Sequence, residues 1–319
     1  MANIGFIFPG QGSQALGMGR DLYNKFDEAK AVFSEASEAT GIDIAKLCFE
    51  GPLDELNKTE NTQPAILTAS LAAHAALRAL YVEAGAVAGH SLGEVTAVAA
   101  AGGLTVGQAA SLAMRRGRYM QEAVPEGAGL MAAVIGLDRD KITEACQEAS
   151  LLGIVAPANY NSPGQVVIAG EKAAVEKAAE LCKAKGAKMV VPLAVSVPSH
   201  CSMMEPAAQR LKADLDALDI KDLHIPLASN ATGRFITKAV EVRESLVRQL
   251  TMPLLWEDCV RAMTGEGCSV LVEVGPGKVL SGLVKRISKV VEIRNVEDET
   301  SLNTTLDYLS MGCKFKPGK

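Results

Sequence analysis

Gly85-Ala86-Val87-Ala88-Gly89-His90-Ser91-Leu92-Gly93-Glu94 is the stretch on which the fold turns. Its serine has a glycine two residues away on each side. The residues before it are short, apolar and Gly-punctuated, and those from Leu92 to Ala101 are small, apolar and helix-compatible. That is the strand–turn–helix context of a nucleophile elbow. The turn is tight, so its flanking positions must be small. It holds the serine at the sheet edge with Oγ exposed, and the following helix aims its N-terminal N–H groups at the same place. The competing explanation is a Gly-rich turn that happens to contain serine. Few residues separate the helical pattern ending near Glu83 from the serine, so the strand before it must be short.

Outward from this point, short apolar stretches alternate with helical patterns. Strands are expected at Ile4–Phe8, Ala86–Ala88, Leu130–Ile135, Ile154–Pro157, Gln165–Ala169, Lys188–Val191, Ile225–Ala228, Val270–Val274 and Val290–Arg294. Helices are expected at Asp21–Ala39, Pro64–Glu83, Val106–Ala123, Glu205–Leu218, Val240–Leu250 and Trp256–Gly265. Such alternation predicts an α/β fold with a mostly parallel sheet covered on both faces. From about Gly129 to Val191 the order changes to strand, helix (Asp138–Ala149), strand, strand, helix (Glu171–Lys185), strand, with Asn161-Ser162-Pro163-Gly164 as the central turn. This is the order of a ferredoxin-like unit. It predicts an inserted small domain at 127–195 and a larger α/β domain built from 1–126 and 196–319.

The chain has 319 residues, of which 48% are hydrophobic and 22% charged, enough for a large globular domain with a smaller one. Its opening residues have no basic n-region, and Pro9 interrupts the apolar run, so a buried strand is expected and not a signal peptide. No apolar stretch approaches the roughly 18 residues of a membrane span. The seven cysteines are singly placed and odd in number, which fits neither a complete disulfide framework nor a zinc site and favours a reducing cytoplasm. A net charge of −5 argues against general nucleic-acid binding.

Gly10-Gln11-Gly12-Ser13-Gln14-Ala15 matches a dinucleotide fingerprint, but no second strand with a terminal acid follows it. A Gly-rich loop beside a catalytic turn has another use: its N–H groups can face developing negative charge. Serine needs an adjacent base, and there are four histidines. His74 lies in an Ala/Leu-rich helical pattern, His90 diverges from Ser91 within an elbow, and His224 lacks supporting context. His200 follows a strand-like stretch in a loop, where catalytic groups concentrate. The acids between Ser91 and His200, Asp138 and Asp140 among them, look like surface helix residues, so a backbone carbonyl is an alternative orienting group.

At this point the chain resembles, over nearly its whole length, the malonyl-CoA:acyl carrier protein transacylase family. The motifs occur in order: Phe8-Pro9-Gly10-Gln11-Gly12-Ser13-Gln14, Thr62-Gln63-Pro64-Ala65, Gly89-His90-Ser91-Leu92-Gly93-Glu94, Met114-Arg115-Arg116-Gly117, Asn159-Tyr160-Asn161-Ser162-Pro163-Gly164-Gln165, Pro198-Ser199-His200, Gln249 and Gly275-Pro276-Gly277. The resemblance implies an α/β-hydrolase-like core with a ferredoxin-like small domain. It implies Ser91 as nucleophile, His200 as general base and the main-chain carbonyl of Gln249 as the group that orients His200. The N–H groups of Gln11 and Leu92 would form the oxyanion hole, and Arg116 would pair with the free malonyl carboxylate. Malonyl-CoA and acyl carrier protein are the implied partners, with no metal, cofactor, nucleic acid or membrane, in a cytoplasmic monomer serving fatty-acid synthesis. Competing readings are a serine hydrolase or thioesterase, a free-standing acyltransferase of a polyketide synthase, and a non-catalytic carrier-binding module. Asn159 and Asn161 either line the pocket or build the turn, with the turn preferred. Lys285, Arg286 and Lys289 are either a docking surface for an acidic carrier or a solvated helix face, and Lys314–Lys319 a frayed basic end.

Overall fold

A computed structural model describes residues 3–193 and 197–310; the expected boundary at 195/196 and the basic end fall outside the described residues. Ten strands form two sheets: β1 Ile4–Phe8, β2 Ala86–Gly89, β3 Gly129–Ile135, β4 Val155–Ser162, β5 Gln165–Glu171, β6 Met189–Pro192, β7 Leu227–Ala228, β8 Phe235–Ile236, β9 Val270–Val274 and β10 Glu292–Val296. The larger sheet runs β10-β9-β1-β2-β7-β8. Its first five strands are parallel and β8 is antiparallel. Alternate residues of a strand face opposite sides, so Phe6 and Phe8 join one buried cluster and Ile7 the other. The first cluster is filled by the helices Thr59–Ala79, Leu92–Ala100 and Val106–Ala123, the second by Trp256–Gly265 and Val279–Ile287. Both faces are therefore covered, as a parallel sheet requires. No helix among the described residues is long and apolar enough to cross a membrane.

The second sheet is antiparallel throughout, in the order β4-β5-β3-β6. β5 lies between β3 and β4, which splits the first βαβ unit in the ferredoxin-like manner. The helices Arg139–Ala149 and Lys172–Ala184 bury Ile142, Ala145, Val175 and Ala178 against Val134 and Ile168 on one face. The opposite face carries Met131 and Val167 toward the rest of the molecule. A short parallel bridge joins the two bodies: the Tyr160 amide donates to the Leu254 carbonyl at 2.9 Å, and the Leu254 amide to the Ala158 carbonyl at 2.8 Å.

Several local expectations shift. The expected helix Asp21–Ala39 is two helices, Arg20–Lys25 and Asp27–Thr40, because Phe26 is extended (φ −119°, ψ 124°). The expected helix Pro64–Glu83 starts at Thr59 and ends at Ala79, where Leu80 caps it and Tyr81 turns left-handed (φ 58°). Asn159 and Asn161 do not build the turn. They lie in β4, whose register slips between Pro157 and Asn159 and again between Tyr160 and Ser162. The turn itself is Pro163-Gly164, with Gly164 at φ 72°. Bulges of this kind re-aim side chains beside functional sites, and here both asparagines face a cleft.

Candidate active site

The loops that follow β1 and β2 leave the same edge of the sheet, since Phe8 pairs with Gly89 at the strand ends. One carries Gln11 and the other Ser91. Ser91 has φ 54° and ψ −106°, a sparsely populated conformation that costs about 1–3 kcal/mol. The flanking glycines make the turn sterically feasible. A Cβ on Gly89 would lie 1.8 Å from the Gly93 carbonyl oxygen, and one on Gly93 would lie 2.1 Å from the Phe8 carbonyl oxygen. Asn230 clamps the elbow: its Oδ1 accepts from the Ser91 amide at 3.0 Å and its Nδ2 donates to the Gly89 carbonyl at 2.8 Å.

His200 arrives from a different part of the chain. Its Nε2 lies 2.9 Å from Ser91 Oγ and its Nδ1 lies 2.6 Å from the Gln249 carbonyl oxygen. A carbonyl can only accept, so the proton sits on Nδ1 and Nε2 is free to accept from the serine. Gln249 lies in the last turn of the helix Ala239–Thr251, where carbonyls have no intrahelical donor and are available to others. Burial first, then Arg116 and His90, pushes the His200 imidazole down to about 3, so it is neutral near neutral pH, with its Nε2 lone pair toward Ser91.

Arg116, on the capped helix Val106–Ala123, is 1% exposed. Its Nη1 donates to Gln63 Oε1 at 2.9 Å, and its Nη2 donates to Gln249 Oε1 at 2.8 Å and to Ser91 Oγ at 3.1 Å. Burial lowers it only to about 10, so it stays charged. A cation that makes no ion pair among the described residues thus stands against a serine oxygen inside a cleft of about 150 Å³ lined by Gln11, Gln63, Ser91, Leu92, Asn161 and His200. Leu92 opens the helix after the elbow, so its amide has no intrahelical acceptor. Gln11 is fixed by its side chain, whose Nε2 donates to Thr59 Oγ1 at 3.3 Å.

The remaining histidines are placed elsewhere in the network. His90 Nε2 bonds Asn161 Oδ1 at 2.9 Å and its ring meets Trp256 edge-on. His74 packs edge-on against Phe6 and Phe8. His224 lines a different cavity with His74. Asp138 and Asp140 are exposed at the start of a helix on the small sheet. Among the described residues, no cluster of His, Cys, Asp and Glu could hold a metal ion.

Sequence reasoning passed over four participants: Gln63, Asn230, Glu94 and the Gln249 side chain. Gln63 and Glu94 were visible only as members of motifs, and Asn230 carried no local signal. Glu94 is fully buried, and its Oε1 accepts from the Asn230 amide at 3.0 Å and Ser245 Oγ at 2.9 Å. Its Oε2 accepts from Gln249 Nε2 at 2.5 Å. Burial pushes its carboxyl up to about 7.

Comparison with known proteins bears on this geometry. Residues 5–305 match the family model described as an acyl transferase domain. The chain is 46% identical over 311 residues to a malonyl CoA-acyl carrier protein transacylase of Haemophilus influenzae, covering 97% of this chain and 100% of that one. It superposes on a crystal structure of an acyl carrier protein S-malonyltransferase from Vibrio cholerae with a TM-score of 0.92 and 46% identity, covering 95% and 100% of the two chains. A malonyl-transacylase solved in complex with a type II PKS acyl-carrier protein is also 46% identical, with a TM-score of 0.93 and coverage of 96% and 99%.

Proposed function

The chain belongs to the acyl transferase domain family, and from that membership we propose how its residues divide the work. It transfers a malonyl group from malonyl-CoA to the phosphopantetheine thiol of acyl carrier protein, supplying fatty-acid synthesis. Its place is the cytoplasm. Residues 1–126 and 196–319 form the catalytic domain and 127–195 the small domain.

In the first half-reaction Ser91 Oγ attacks the thioester carbonyl while His200 Nε2 takes its proton. The tetrahedral oxyanion is met by the amides of Gln11 and Leu92, each such donor contributing about 2.7–4 kcal/mol to the transition state. The C–S bond then breaks, and CoA leaves with the proton returned by His200. In the second half-reaction the carrier thiol gives its proton to His200 and attacks the malonyl-serine ester. The ester C–O bond breaks, His200 returns the proton to the departing Ser91 Oγ, and the malonyl group leaves as a thioester of the carrier. Throughout, the Gln249 carbonyl holds the imidazole, and the C-terminal end of its helix favours the transient imidazolium.

The observation that carries this reading is Arg116, which is buried, lies 3.1 Å from the nucleophilic oxygen and makes no ion pair with a carboxylate among the described residues. An uncharged acyl group gives such a cation no partner, whereas a malonyl carboxylate can engage its planar fork at two points. Lys285 and Arg286 are exposed on the helix Val279–Ile287, beside a second cleft that shares Gln11, His90 and Asn161 with the first. This supports approach of an acidic carrier along that face.

Brief exposure to malonyl-CoA followed by intact-mass measurement tests the reading. A single malonyl adduct is expected on the wild-type chain and none on Ser91→Ala; addition of carrier protein then discharges the adduct to the carrier. No adduct on wild type, or dominant free malonate in the presence of carrier, overturns it.

A further inference from the structure

The transfer chemistry gives Glu94 nothing to do, yet its carboxyl is fully buried beside the reacting groups. All three of its hydrogen bonds come from uncharged donors, on Asn230, Ser245 and Gln249. The charge it faces is Arg116, and a single primary amide separates them. Arg116 Nη2 donates to Gln249 Oε1 at 2.8 Å, and Gln249 Nε2 donates to Glu94 Oε2 at 2.5 Å. This series fixes the amide: turned over, it would set its NH2 against the guanidinium and its oxygen against the carboxyl. A cation at one end and an anion at the other polarise it in the same sense. With the Glu94 carboxyl ionised, the site sets one buried negative charge against one positive. A malonyl carboxylate on Arg116 brings a second anion into a space where charges are weakly screened.

We propose that Glu94 is a specificity-determining residue of the acyl site: acting across the Gln249 amide, it offsets part of the pull of Arg116 on an acyl carboxylate. A malonyl group is thereby preferred over an uncharged acyl group without being held so firmly that it resists transfer onward. Glu94 touches neither substrate nor nucleophile and works through the cation. The proposal rests on the malonyl-transfer reading above.

The test is acylation of Ser91 with malonyl-CoA and acetyl-CoA in competition, read by intact mass, for wild type, Glu94→Gln, Arg116→Ala and the double variant. Removing the negative charge leaves Arg116 unopposed. The malonyl-to-acetyl ratio therefore rises about tenfold in Glu94→Gln, and the rise vanishes when Arg116 is absent. A purely structural role would slow both acyl donors alike. A ratio within about twofold of wild type, or an equal rise without Arg116, overturns the proposal. Ser245→Ala removes one of the hydrogen bonds that hold this carboxyl down, so Glu94 takes up its proton at higher pH and the rise in the ratio moves toward alkaline pH; an unmoved pH profile also overturns it.

The wild-type chain supplies an arm that needs no variant to fold. The titratable groups around the Glu94 carboxyl are Arg116, His200 across Gln249, and Cys259. Arg116 stays charged, while burial keeps His200 and the Cys259 thiol neutral. Glu94 is then the group that gains a proton between about pH 8 and about pH 6, and the ratio rises over that range. A flat ratio overturns the proposal. Absence of any malonyl adduct on wild type, by contrast, overturns the transfer reading itself.

Discussion

At Ser91 one oxygen serves two partners: it donates to His200 Nε2 at 2.9 Å and accepts from Arg116 Nη2 at 3.1 Å. The arginine proposed to meet the acyl carboxylate thus also holds the serine oxygen. Arg116→Ala should lower malonyl acylation about hundredfold and narrow the gap to acetyl-CoA, measured as the ratio of kcat/KM values. Unchanged selectivity would assign recognition of the carboxylate to another group. The base must be neutral to act. Burial holds the His200 imidazole below its ordinary value of 6.5, so acylation keeps its plateau as pH falls through 6.5 and declines only at more acid pH. A pH–rate profile with its acid limb at or above 6.5 would contradict this assignment. Ser91 and His200 were legible from sequence because an elbow and an end-of-strand loop are local patterns. Glu94, Asn230 and Gln63 were not. Their importance lies in hydrogen bonds across long sequence separations, such as Gln249 to Glu94 or Arg116 to Gln63, and no periodicity encodes these.

The strand β2, its turn and the helix Leu92–Ala100 act as one element, held by close backbone approach. Gly93→Ala would drive a methyl to 2.1 Å from the Phe8 carbonyl oxygen. Backbone on both sides must then separate, and we expect a loss of about 3 kcal/mol or more in denaturant unfolding, together with loss of the acyl adduct. A variant of wild-type stability would show that β1 and the helix can part without cost. At this scale the sequence told element type well and boundaries less well. β1, β9 and the helices Val106–Ala123 and Trp256–Gly265 begin and end where their patterns do. The helix at Pro64 was misjudged because proline is at home in a first turn, whereas here it sits inside Thr59–Ala79. The asparagines of β4 were misjudged because Asn-rich segments favour turns, and two register slips cannot be read from composition.

Across the whole molecule, buried titratable groups pull in opposite directions. His74, His90 and His200 are all lowered by burial, His74 to about 4 and His200 to about 3. The unfolded chain therefore binds more protons than the folded one below 6.5, and their contribution to stability is lost on acidification. Glu94 and Glu273 are raised by burial, so above 4.5 the folded chain binds the extra protons and stability falls as pH rises. The two sets oppose each other between 6.5 and 4.5. Below that the two glutamates no longer oppose the buried histidines, each worth up to about 1.4 kcal/mol per pH unit, and the melting temperature should drop steeply. His74→Leu, remote from Ser91, should make the drop shallower; an identical acid profile would place the sensitivity elsewhere.

The wall that carries Asn159 and Asn161 belongs to one unbroken run of chain, from Gly129 to Pro192, whereas Ser91, Arg116, His200 and Gln249 all lie outside it. Part of the wall of the cleft is therefore encoded apart from Ser91 and His200. Substitutions within that run can reshape this wall while Ser91 and His200 stay where they are.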